Sequence, residues 1–202
     1  MSGVYVSFDG VDGAGSTTHT RLLAKWLRSK GLKVFETKEP TTGRIGSLIR
    51  AYLREGSPHP AVDALLFAAD RVEHSMRIKS MLDEGFIVVS DRSIISSLAY
   101  QQAQGLDYSW ILEVNKYSLK PHMPIILDID PEISLARKKE VKEKFENSEF
   151  LRAVRDNMLK LARENGWAVV DTSKPLDSAV NEVRRLVAHQ FKKFGVIIDE
   201  RP

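Results

Sequence analysis

The sequence predicts an α/β protein: a doubly wound, five-stranded parallel sheet with helices on both faces. Two observations predict it. Five short apolar runs alternate along the chain with stretches of helical pattern, and a glycine-rich turn joins the first run to the first helix.

The elements follow in order. Val4–Asp9 alternates strand-forming residues and reads as a buried strand, and TTHTRLLAKWLRSKG after the glycine turn reads as a helix stopped by Gly31. KVFETKEP is the second strand, ending at Glu39-Pro40, and RIGSLIRAYLREG is a helix stopped by Gly56. A long helix then runs through PAVDALLFAADRVEHSMRIKSMLDEG. Its residues Leu65, Leu66, Ala69, Val72 and Met76 recur at helical spacing and are predicted to be buried, while Phe67 and Arg71 share another face. Phe86–Asp91 is a continuous apolar strand, followed by helices over Ile94–Gln102 and Tyr108–Leu119. Pro124–Asp130 is the fourth strand. A helix starts at Pro131, a charge-dense segment covers Lys138–Glu146, and a helix covers Asn147–Asn165. Trp167–Asp171 is the fifth strand, Pro175–Phe194 the last helix, and Val196–Pro202 a tail with no evident role. No repeat or linker interrupts this order, so residues 1–202 read as a single domain.

Composition excludes several classes. There is no cysteine, which removes disulfides, thiolate metal sites and cysteine nucleophiles together. The histidines at 19, 59, 74, 122 and 189 lack ligand spacing and read as surface or structural residues. No run of 18 apolar residues and no signal-peptide pattern is present, so a cytoplasmic protein without a membrane partner is expected. A net charge of +3 suits an anionic small molecule, and no basic stripe with interleaved aromatics points to nucleic acid.

Strand, glycine turn and helix start is the context of a phosphate-binding P-loop, in which successive backbone N–H groups and a helix N-terminus face one anion. Here the loop is Gly10, Val11, Asp12, Gly13, Ala14, Gly15, Ser16, Thr17 and Thr18. Gly10 and Gly15 have the required spacing and Thr17 sits where a Mg²⁺-facing hydroxyl belongs, but Ser16 occupies the position of the loop lysine. Asp91, at the end of the third strand, reads either as the acid that holds Mg²⁺ or its water, or as the N-cap of the next helix.

Several separated motifs, in order and over nearly the whole chain, make the sequence similar to thymidylate kinases, in the nucleoside monophosphate kinase branch of the P-loop proteins. They are FDGVDGAGSTT, KEPTTGRIGSLIR, LLFAADRVEH, VVSDRSIISSLAYQ and EKFE. The resemblance implies a P-loop NTPase-type fold with a small lid at about 137–148, a homodimer, and phosphorylation of dTMP to dTDP with ATP and Mg²⁺. It implies a dTMP site in which Phe67 stacks on thymine, Arg71 bonds its carbonyl edge, Ser97 and Gln101 approach the base and Tyr100 walls the pocket. Glu39 and Pro40 belong to the same site, with Arg50 and Arg92 on the acceptor phosphate. Asp12 falls between the sugar hydroxyl and the reacting phosphates, Arg137 near the adenine of ATP, and Thr17 with Asp91 at the metal.

These residue types fit the chemistry, since joining two polyanions requires fixed cations around the transferring phosphoryl group. Taken singly, Phe67 could be a core residue and Arg71 part of a solvated ion-pair face. The chain departs from the family at Ser16, at Ser93 where a tyrosine is usual, and at Lys142 and Lys144 where many relatives have arginine. Gly13, rather than arginine, aligns it with members whose lid supplies the catalytic cation. A lysine-rich lid beside a lysine-less loop suggests that Lys142 and Lys144 lend the missing charge; the alternative is that Lys138–Lys144 is a solvated face. Other functions open to the same scaffold are a broader nucleoside monophosphate or deoxynucleoside kinase and a weakly catalytic nucleotide-binding protein.

Overall fold

A computed structural model describes residues 3–137 and 148–198. The strands are β1 (Tyr5–Gly10), β2 (Val34–Lys38), β3 (Ile87–Asp91), β4 (Met123–Asp128) and β5 (Ala168–Asp171). They form one sheet in the order β2-β3-β1-β4-β5, and every pairing is parallel. The helices are α1 (Ser16–Ser29), α2 (Arg44–Glu55), α3 (Pro60–Asp83), α4 (Ile94–Ala103), α5 (Tyr108–Val114), α6 (Pro131–Arg137), α7 (Ser148–Asn165) and α8 (Leu176–Phe191). A short 3₁₀ turn over Lys192–Phe194 follows α8.

β1 and β3 are buried at every residue, as strands covered on both faces must be. Phe8, Val89, Ile125 and Leu127 from the sheet pack with Leu23 and Leu27 of α1, Leu98 of α4, Met158 of α7 and Val187 of α8. The chain reverses its strand order on either side of β1, so β1 ends at the switch point, where open α/β sheets bind ligands.

Three expectations change. On α3, Leu65 and Met76 are exposed, at 50% and 73%, Ala69 is exposed, and Leu66 and Val72 are half-buried. The face that α3 turns inward carries Ala64, Ala68, Arg71, His74, Ser75, Ile78 and Leu82. The helix from Tyr108 ends at Val114 rather than Leu119, with Asn115 as its C-cap. Val196 and Ile198 are not an idle tail: both are buried in the main core cluster. The segment 138–147, with Lys142, Lys144 and most of the expected lid, lies outside the described residues.

Candidate active site

The P-loop is built by close approach. Ser134, midway along α6, donates its hydroxyl to the Asp12 carbonyl at 2.8 Å. A Cβ on Gly13, whose φ is +85°, would lie 2.7 Å from the Ser134 carbonyl oxygen, so glycine is required there. Gly15 caps α1 in the left-handed region, at φ +92°, and turns the helix N-terminus toward the loop. Val11 and Ala14 are buried beneath it, while Thr17 and Thr18 are exposed at its rim and Ser16 begins the helix. His19 closes the turn, its Nδ1 lying 3.0 Å from the Gly15 carbonyl, and burial holds its imidazole below the ordinary histidine range.

Beside the loop, Thr17 Oγ1 donates to Asp91 Oδ2. Asp91 Oδ1 is buried and has no hydrogen-bond partner among the described residues. Asp91 is therefore not the N-cap of α4, a task done by Ser93, which accepts from the Ile95 N–H. Asp9 holds the same corner. One carboxylate oxygen accepts from the Ser93 N–H at 2.9 Å and from the N–H and hydroxyl of Ser96 at 3.0 and 2.7 Å. The other accepts from the hydroxyls of Ser7 and Ser93.

That corner sets Arg92, the only residue other than glycine with positive φ, at 76°, among the described residues. Its N–H is fixed to the Phe8 carbonyl at 2.8 Å and its carbonyl accepts from the Ser90 hydroxyl at 2.7 Å. The turn aims the guanidinium at the Gly10 carbonyl, 3.0 Å away, and at the Asp12 carboxylate. Burial alone would lower the Arg92 pKa, but Tyr100, Asp12, Asp91 and Asp9 together raise it, and the group stays cationic. Its guanidinium also lies over the Tyr100 ring, 5.4 Å from the centroid. Burial pushes the Tyr100 hydroxyl well above its usual range, and this neutral group accepts from the Asp12 N–H at 3.1 Å.

On the β2 side, Glu39 and Pro40 are joined by a cis peptide bond, and Arg50 of α2 donates to the Pro40 and Thr41 carbonyls. Asp70 of α3 accepts from the Thr41 N–H and hydroxyl at 2.7 and 2.6 Å. Arg71 is 2% exposed and is held on three sides. Its Nε donates to Glu39 at 2.7 Å, one terminal nitrogen to Asn115, and the other to Ser97 at 2.9 Å. Burial alone would raise the Glu39 pKa; the Arg71 charge and the His74 hydrogen bond outweigh it and hold the carboxyl below its ordinary range. Arg71 is thus neither solvated nor paired with Asp70 or Glu73.

One cavity of about 270 Å³ collects the predicted acceptor set: Glu39, Pro40, Arg50, Phe67, Arg71, Arg92, Ser97, Tyr100 and Gln101 all line it, with Asp12 and Asp91. Phe67 is half-buried and presents itself to this space rather than to the core. The side-chain oxygen of Gln101 is buried without a partner among the described residues. Arg137 stands apart, donating to the Thr172 carbonyl after β5 at 2.9 Å. Sequence reasoning missed Asp9, Ser96, His74 and Asn115. For Asp9 and Ser96 the signal was present in the SFDG and DRSIIS context, but for Asn115 no local signal existed.

A parallel sheet ordered 2-3-1-4-5, a P-loop after its central strand and a cavity lined by Arg50, Arg71 and Arg92 beside that loop are the features of a nucleoside monophosphate kinase. The profile of the thymidylate kinase family matches residues 8–183. The chain belongs to that family. Among its relatives, a probable thymidylate kinase of Pyrobaculum calidifontis is 43% identical over 188 residues, 91% of this chain and 95% of the other. That of Thermococcus onnurineus is 39% identical over 204 residues, 94% and 100% of the two chains. That of Methanothermobacter thermautotrophicus is 39% identical over 192 residues, 93% and 96%.

Proposed function

We propose that the protein transfers the γ-phosphoryl group of ATP to dTMP, giving dTDP for dTTP synthesis. The observation that carries this reading is the single cavity that brings Phe67, Arg71 and Gln101 together with Arg92 and Asp12 beside the P-loop. Thymine offers a flat face to Phe67, a carbonyl to the remaining N–H groups of Arg71, and a ring N–H to the unpartnered Gln101 oxygen. Arg50 and Arg92 hold the acceptor phosphate, and the strained turn at Arg92 keeps its planar fork in place as charge spreads in transfer. Asp12, already paired with Arg92, faces the sugar hydroxyl and orients that arginine. Backbone N–H groups of Gly13–Thr17 cradle the donor phosphates.

Mg²⁺ fits the residues present. A hydroxyl and a carboxylate with one unsatisfied buried oxygen, Thr17 and Asp91, are a hard oxygen pair, and Mg²⁺ is usually held by one or two carboxylates plus phosphates. Among the described residues no three histidine or acidic side chains converge, so the ion's remaining ligands would come from phosphates and water. When bound, Mg²⁺ neutralises charge at the β- and γ-phosphates.

No helix among the described residues is long and apolar enough to cross a membrane. The exposed residues Leu65, Ala69 and Met76, with half-buried Val72 beside them, support a homodimer through α3. ADP release measured against a panel of nucleoside monophosphates tests the function. A preference for any acceptor over dTMP would reject it.

A further inference from the structure

Glu39 has two carboxylate oxygens and two partners on α3. Oε2 takes Arg71 Nε at 2.7 Å, and Oε1 lies 3.1 Å from Nδ1 of His74. An ionised carboxylate only accepts, so Nδ1 carries a proton and donates. The other ring nitrogen, Nε2, lies 2.7 Å from the Thr37 hydroxyl, which fixes the ring plane from β2. Glu39, Arg71 and His74 are exposed by only 6%, 2% and 4%. The chain Thr37–His74–Glu39–Arg71 therefore runs through the protein interior. It begins at a second cavity, of about 410 Å³ and bordered by Thr37, Thr41, Glu73, His74 and Arg77, and ends at the acceptor cavity.

We infer that His74 is a positioning residue for base recognition, acting through Glu39 to set the angle of the Arg71 guanidinium. The inference rests on the reading that Arg71 meets the base of the acceptor. Geometry gives it force. A carboxylate and a guanidinium prefer two parallel bonds, fork to fork. Here Glu39 makes only one to Arg71, because His74 claims its other oxygen. The terminal nitrogens of Arg71 are thereby left to Asn115 and Ser97, each keeping an N–H for the cavity. Remove the His74 donor, and Oε1 becomes a buried carboxylate oxygen without a partner. Its nearest remedy is rotation toward Arg71, which would turn the guanidinium away from Asn115 and Ser97 and out of register with the base.

Asparagine carries an amide nitrogen near the place of Nδ1, and glutamine near the place of Nε2. His74→Asn therefore keeps the bond to Glu39, and His74→Gln keeps only the one to Thr37. The test compares His74→Asn, His74→Gln and His74→Leu by steady-state kinetics and by calorimetric binding of dTMP and of ATP. The expected result is that Gln and Leu raise the KM and Kd for dTMP about tenfold, with kcat and the KM for ATP within about twofold of wild type. Asn should stay within about threefold on every constant. A residue that merely fills space would give the opposite order, since asparagine is the smaller side chain. The inference is overturned if Asn is no better than Gln, if dTMP binding is unchanged in both, or if kcat and ATP binding fall in step. Should the Leu protein fail to fold, the Asn and Gln pair decides alone. Should wild type prefer another monophosphate to dTMP, the acceptor assignment fails by itself, and the same variants assayed with the preferred acceptor still decide the role of His74.

Discussion

Arg92 and Asp12, 80 residues apart in sequence, are paired at the point where the P-loop meets the N-terminus of α4. The pair holds one cation and one carboxylate at the junction of the proposed donor and acceptor sites. Such preorganised charge is worth most when charge redistributes in the transition state.

Removing Arg92 should therefore act on turnover. Arg92→Ala is expected to lower kcat by roughly a hundredfold or more, the usual effect of deleting one stabilising donor. Circular dichroism would establish that the protein remains folded. A fall of tenfold or less in a folded variant would take Arg92 out of the catalytic set.

Arg71 should act on binding instead. Losing a charge-assisted hydrogen bond in a pocket costs about 1.5–3 kcal/mol. Arg71→Ala should weaken dTMP binding by about that much and leave ATP binding nearly intact. Equal loss for both nucleotides would mark Arg71 as structural only, a role its burial beside Glu39, Asn115 and Ser97 also permits.

Glu39 gives a pH signature. Its carboxyl is held below its ordinary value of 4.5 in the folded protein. A group with a depressed folded pKa contributes stability that is fully present above the unfolded value and lost as pH falls through the folded one. Glu39→Gln should destabilise the protein by on the order of 3 kcal/mol at pH 7, because Arg71 loses its counter-charge in a buried setting. The gap between the two proteins should close as pH drops below about 4.5. Urea denaturation at several pH values measures it, and a gap that stays constant down to pH 3 would contradict the linkage.

These residues differ in how far the sequence reveals them. The P-loop turn and the arginines that line the cavity beside it are legible because each lies in a short motif whose spacing fixes its geometry locally. The burial pattern of α3 is not. Apolar residues recur on more than one of its faces, and periodicity cannot say which one meets the sheet. The inward face carries Arg71 and His74, which are tolerable there because Glu39, more than thirty residues earlier, offsets the Arg71 charge and bonds both. Asn115 illustrates the same limit. It ends α5 early, accepts from Arg71 and donates to the Ile111 carbonyl at 2.8 Å, and only the tertiary fold brings these together.

Ser16 carries the last prediction. Its hydroxyl can donate to a β-phosphate oxygen, but it brings no charge and is shorter than the lysine usual at that position. Charge at the β/γ bridge is what P-loop kinases supply, so transfer should be slow unless another cation takes the task. Three of the described arginines are engaged elsewhere: Arg92 with Asp12, Arg155 with Asp128, and Arg137 with the Thr172 carbonyl. Lys142 and Lys144, outside the described residues, are the lysines that the family resemblance puts in the lid. If they substitute for the loop lysine, Lys144→Ala or Lys142→Ala should lower kcat much more than ATP affinity. Ser16→Lys should then partly rescue either variant, because two cations doing one task are not additive. A double-mutant cycle read in kcat checks this. Strict additivity, or lysine variants with wild-type rates, would leave Ser16 uncompensated and point to a kinase that transfers phosphate with the backbone cradle, Arg92 and Mg²⁺ alone.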